Sequence, residues 1–194
     1  MENPEETLTI DGGIAEVRTA AQFQEAMELS GLTEVHIYTE DHFAQALDFD
    51  RQPMSGAKVT IHSGLVHLSG LAEIAGVHGG EVYAKEAAII YNVAQGNVVA
   101  SDGVQIKRVS GGAVIATGQV RIENATAGII LADDLVEVYI DGVATCDKNS
   151  RKVNFNDELS IFGPELGAIP DSVTVKDANG LVCGPEAAES PDAR

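Results

Sequence analysis

Glycine recurs at positions 64, 80, 96, 112 and 128, sixteen residues apart each time, and no other feature restricts the folding of this chain as much. Two residues after each glycine stands a β-branched side chain: Val66, Val82, Val98, Val114 and Ile130. Two further on come Leu68, Ala84, Ala100, Ala116 and Ala132. This alternation is the period of a strand with one face turned inward. Eight and ten residues after each glycine lie Ala72, Ala88, Val104, Val120 and Val136, then Ile74, Ile90, Ile106, Ile122 and Val138, which predicts a second strand in every repeat. Val77, Val93, Val109 and Ala125 supply one inward residue on a short third side, and Asp141 breaks that column. A single repeat cannot bury its own apolar face. Repeats stacked about 4.8 Å apart align these residues into ladders and satisfy the backbone between neighbours. The predicted fold is mainly β, a β-solenoid of five 16-residue coils over residues 64–143.

The segments on either side do not follow the repeat. Residues 19–31 read as a helix, with Thr19 and Gln22 at capping-box spacing, Phe23, Ala26 and Met27 on one face, and Gly31 as a stop. Residues 14–17 and 35–38 alternate as strands. A second short helix is expected after Thr39, with Phe43, Ala46 and Leu47 on one side and Pro53 ending the region. Residues 1–63 are therefore read as a strand and helix cap. After Val143 the register fails, but Val153, Phe155, Leu159, Ile161, Phe162, Val173, Val175, Leu181 and Val182 are apolar enough to fold back on the rod. Residues 144–183 are expected to form a strand-rich closing segment and 184–194 a disordered acidic tail.

With Glu16-Val17-Arg18-Thr19-Ala20-Ala21-Gln22-Phe23-Gln24-Glu25-Ala26-Met27 and the strand Val35-His36-Ile37-Tyr38 ahead of the coils, the chain resembles the right-handed β-helix superfamily over about residues 10–143. The resemblance implies a right-handed parallel β-helix with an N-terminal α/β cap. Many members are polysaccharide lyases or hydrolases, which carry acidic and basic clusters on projecting loops. The tight corners here, Ser69-Gly70, Lys85-Glu86, Ser101-Asp102, Thr117-Gly118 and Asp133-Asp134, have no counterpart to those loops. The chain is also similar to the polymer-forming bactofilins, whose cores stack end to end without a helical cap; the cap here argues against such growth.

Charge narrows the choice of partner. Thirty acidic against 12 basic residues give −18, a field that opposes binding to a nucleic-acid backbone. No stretch is apolar enough to span a bilayer, and the opening Met-Glu-Asn-Pro-Glu-Glu is acidic where a secretory signal needs basic residues. A cytoplasmic protein is expected, with a virion-associated location compatible, and Cys146 and Cys183 are read as reduced thiols. An acidic DNA mimic is a further class to weigh, but the coils carry less charge per residue than the cap.

Side chains that could do chemistry are scattered. His62 and His78 are one repeat apart, which predicts adjacent imidazoles, but His67 is on another face and no column adds further ligands; no metal or cofactor is expected. Ser63, Ser69, Ser101 and Ser110 sit in or beside turns without a nucleophile-elbow signature, and Glu86, Asp102 and Asp134 form a spaced acidic edge. No catalytic residue is nominated. The anomaly is outside the first strand, where His67, Tyr83, Val99, Ile115 and Leu131, joined by Ile129, replace the polar residues expected on a solvated face. The second strand's outward column, Glu73, Ile89, Gln105, Arg121 and Glu137, is mostly polar. The stripe predicts a contact, made either by residues 153–182 of this chain or by a protein partner or second copy. The expected function is a non-catalytic scaffold or protein-binding solenoid, with a carbohydrate-active lyase or hydrolase as the alternative.

Overall fold

The computed structural model describes residues 7–39, 46–147 and 149–184. It is a parallel β-solenoid of about eight turns, three more than the glycine spacing predicts. The difference arises because the early coils carry insertions. On the third side, Val17, Ile37, Ile61, Val77, Val93, Val109, Ala125 and Ile140 stack as successive partners. Their first steps are 20 and 24 residues long, so a search at a fixed period of sixteen does not find them. At the other end a register shift brings Ile140, rather than Asp141, under Ala125, and the column continues where the sequence suggests a break.

Two longer walls complete the cross-section. On the first wall, Leu47, Val66, Val82, Val98, Val114, Ile130 and Ile161 form one inward ladder. On the second, Ile74, Ile90, Ile106, Ile122, Val138 and Val175 form another. Nearly all of these side chains are completely buried, including Val98, Val114, Ile106 and Ile122, whereas Arg121 and Ile115 face outward. Apolar columns at one level per turn fill the core, and each buried aliphatic side chain contributes on the order of 2 kcal/mol.

The glycine column has a steric cause. Gly112 has φ +71, and a Cβ there would lie 2.7 Å from the Gly96 carbonyl oxygen of the coil before it. The chain turns so close to the previous coil that no side chain fits. The column begins at Gly64 because the level before it is occupied by Thr39, whose hydroxyl donates to the Ser63 carbonyl at 3.4 Å while Ser63 Oγ donates to the Thr39 carbonyl at 3.0 Å.

At the N-terminal end the helix Ala20–Glu28 lies across the first coils. Thr19 caps it, accepting from the Gln22 amide, and the Gln22 side chain accepts from the Arg18 amide at 2.7 Å. The helix stops at Glu28, ahead of Gly31. Phe23, Ala26 and Met27 turn inward, and Phe23 meets Phe49 edge-on at 5.6 Å between ring centres. Phe43 and residues 40–45 of the second expected helix lie outside the described residues, and Leu47 belongs to the strand Leu47–Phe49 instead. Leu47 is recruited to the first wall by pairing with Val66.

At the C-terminal end, Leu159–Phe162 pairs in parallel with Arg121–Ala132, and Thr174–Asp177 with Glu137–Ile140. Antiparallel pairings of Lys152–Phe155 with its neighbours, and of Gly180–Cys183 with Thr174–Asp177, then turn the open edge back on itself. These hairpins bring Cys146 and Cys183 together in a disulfide, with Cα atoms 5.8 Å apart. This corrects the reading of two reduced thiols, since a sequence separation of 37 conceals the proximity. The residues expected to form the disordered tail lie outside the described residues beyond position 184.

Candidate functional site

Parallel pairing on the first wall aligns the outward residues as strictly as the inward ones. Asp48, His67, Tyr83, Val99, Ile115, Leu131 and Phe162 follow one another, one per coil. Beside them runs a second column, Glu81, Asn97, Ala113, Ile129 and Ser160. Tyr83, Ile115 and Ile129 are 41%, 43% and 46% exposed; Val99, Leu131 and Phe162 are half-buried by their neighbours in the ladder. All five residues predicted as a contact stripe therefore share one flat face, and the structure adds Phe162. Its distance of 31 residues from Leu131 hides it from any search by repeat length.

Among the described residues, the closing segment does not lie across this face. Leu159–Phe162 joins the wall edge to edge as its next strand, so the tail lengthens the stripe. Lys152 Nζ stands over the Phe162 ring at 5.3 Å, placing a cation at the C-terminal margin.

Toward the N-terminal end the face becomes polar. His67 Nδ1 is 3.2 Å from Asp48 Oδ1, and its ring meets Tyr83 edge-on at 5.6 Å. The Tyr83 hydroxyl donates to Glu81 Oε1 at 2.6 Å, and that carboxylate pushes the Tyr83 pKa above the usual phenol value. Asp48, His67 and Tyr83 border a shallow groove of about 350 Å³ with Ser69, Lys85 and Ser101. Its lining holds one carboxylate, Asp48. Two-carboxylate glycoside hydrolysis requires an acid and a second carboxylate facing it.

The second wall is wet. Lys107 Nζ bonds Glu123 Oε1 at 2.8 Å, and Arg121 lies over the Tyr139 ring at 4.9 Å.

On the third side the predicted neighbours His62 and His78 meet edge-on at 5.3 Å, and a third histidine joins them. His62 Nε2 is 3.0 Å from His36 Nδ1, and His36 Nε2 is 2.8 Å from Glu34 Oε2. The carboxylate only accepts, so His36 carries its hydrogen on Nε2. Its Nδ1 then accepts from His62 Nε2–H when both rings are neutral. Tyr38 stacks on His62 at 4.5 Å. Burial, then His36 and His78, hold the His62 pKa below the ordinary histidine value. His36 escapes sequence reasoning because 26 residues separate it from His62. Among the described residues, no group of three or more His, Cys, Asp or Glu is placed to hold a metal ion.

No protein family, characterised protein or solved structure compared with this chain gives a match. Among the described residues no helix is long and apolar enough to cross a membrane.

Proposed function

We propose that this chain is a non-catalytic scaffold that binds a protein through the outer face of its first wall. The supporting observation is the partly exposed, in-register ladder of Tyr83, Val99, Ile115 and Leu131 extended by Phe162, on a rod whose second wall carries Glu73, Arg121 and Glu137 at equivalent outward positions. Apolar side chains in register on a flat face favour contact with another folded surface over solvent. A two-carboxylate glycoside hydrolase fits less well, because among the described residues the groove beside Tyr83 is lined by a single carboxylate and bounded by short corners. The bonded cysteines favour a non-reducing place of work over the cytoplasm expected from the sequence.

A photo-cross-linking amino acid in place of Ile115, irradiated in extracts of the producing cell and in the purified protein, tests the reading. A discrete adduct, with itself or with another protein, is the expected result. A control at the wet position Arg121 should give none. Absence of any adduct from position 115 in both settings would defeat the proposal.

A further inference from the structure

We infer that the step from Asn179 to Gly180 is a site of spontaneous covalent modification, where the chain converts its own asparagine to an isoaspartyl residue and loosens the hairpin that closes its C-terminal end. This inference is independent of the protein-contact reading above. The sequence holds a single Asn-Gly step. Glycine in the second place matters because its main-chain nitrogen must swing onto the asparagine side chain, and a Cβ there would hinder the approach.

The structure leaves this step open. Ala178, Asn179 and Gly180 are exposed at the tip of the hairpin between Thr174–Asp177 and Gly180–Cys183. The Asn179 main-chain amide donates to Asp177 Oδ1 at 2.8 Å, while among the described residues its side-chain amide has no hydrogen-bond partner. Beyond the chain neighbours of Gly180, no atom comes within 4 Å of the place a Cβ would take, and its φ of +120 is a conformation that suits glycine. Other asparagines are held differently. Asn92, Asn97 and Asn124 precede Val93, Val98 and Ala125, buried ladder residues on strands paired on both sides. Asn149 sits in a similar exposed turn, with its amide 2.8 Å from Asp147 Oδ1, but Ser150 follows it.

The reaction needs only water. The Gly180 nitrogen attacks Asn179 Cγ and loses its proton to solvent base; the new N–C bond expels the side-chain nitrogen as ammonia and leaves a succinimide. Water then opens the ring at either carbonyl. Breaking N–Cγ returns an ordinary aspartate. Breaking the original peptide bond instead routes the main chain through Cβ and Cγ, giving an isoaspartate with an extra backbone atom and a new carboxylate.

That product falls where the end of the rod is tied together. Asp177 Oδ1 holds the Asn179 amide while its Oδ2 holds the Ala144 amide at 2.9 Å, so one carboxylate joins the hairpin tip to the segment entering Thr145–Asp147. Cys183, at the far end of the second hairpin strand, is bonded to Cys146. A tight turn has no slack for an extra backbone atom. Gly180–Cys183 must slide along Thr174–Asp177, or the Asp177 contact must break, and the new charge repels Asp177 in either case.

Ageing the purified full chain, with its disulfide intact, at mildly alkaline pH and comparing its peptides with those of fresh protein by mass spectrometry tests the site. The peptide containing Asn179 should gain the mass of an amide-to-carboxyl exchange and separate into aspartyl and isoaspartyl forms, told apart by electron-transfer fragmentation. The Asn149 peptide should change several-fold more slowly, and Asn179→Gln, which would have to close a larger ring, should stay unmodified. Amide hydrogen exchange reads the effect on the hairpin. Residues 174–183 should exchange faster in the aged protein, whereas Asn179→Asp, which adds the charge without the backbone atom, should stay near the parent. An unchanged Asn179 peptide, or modification at Asn149 as fast as at Asn179, would overturn the site. Parental exchange in the isoaspartyl protein, or equally fast exchange in Asn179→Asp, would overturn the loosening by an added backbone atom.

Discussion

A single methyl group at position 112 would test the closeness of the coils. Gly112 combines a left-handed φ with a Cβ position 2.7 Å from the Gly96 carbonyl, so relief requires the coils to separate locally. Gly112→Ala should cost about 2 kcal/mol or more in urea unfolding, and a loss under half that would mean the turn relaxes freely. Within the histidine cluster, His62 contributes a pH dependence. The His62 pKa is lowered in the folded chain, so just below its unfolded value the unfolded state binds the proton and the folded state does not. Its stabilising contribution is intact above about pH 6.5 and declines as pH falls through that value toward the lower folded one. Arg18, Glu16, Glu34 and Lys58 also flank this side, on strands paired beside the cluster or at their ends. From about pH 7.5 to about pH 5 the melting temperature of His62→Gln should fall less than that of the parent. Equal slopes would remove His62 from the explanation. At this scale the glycines were legible because their chemistry is unique; His36 was not, since no local signal marks a residue brought near by an insertion.

Among elements, the cap helix has the clearest energetic role. Phe23 is 1% exposed and closes the core against Phe49. Phe23→Ala should destabilise the protein by roughly 3 to 5 kcal/mol, measured by chemical denaturation. Unchanged unfolding would mean that the helix does not seal the core. Helix and coils could be read from sequence because each repeats a short-range pattern: capping spacing in one, alternation in the other. The strand Leu47–Phe49 could not. Three residues hold too little periodicity to separate strand from helix, and only pairing with the next coil decides the matter. The contact stripe divides similarly, with Tyr83 through Leu131 visible at a constant spacing and Phe162 supplied by a strand that returns after a detour.

For the whole molecule, closure at both ends matters more than the number of turns. Ending the chain after Val143 would leave the outer edges of Arg121–Ala132 and Glu137–Ile140 without their parallel partners. Exposed strand edges recruit other chains, so this truncation should become turbid or fibrous where the full chain stays clear; a soluble, folded truncate would show the closing hairpins to be dispensable. The order in which those edges appear bears on folding kinetics. Within the regular coils each strand finds its partner only sixteen residues earlier, so assembly can advance like a zipper, each step closing one short loop at modest entropic cost. Cys183 joins Cys146 within the last segment, after the coils have a surface on which to dock it. The bond ties the closing segment to itself and spans none of the regular coils, so refolding under reducing conditions should build the same coils at an unchanged rate, lacking only this latch.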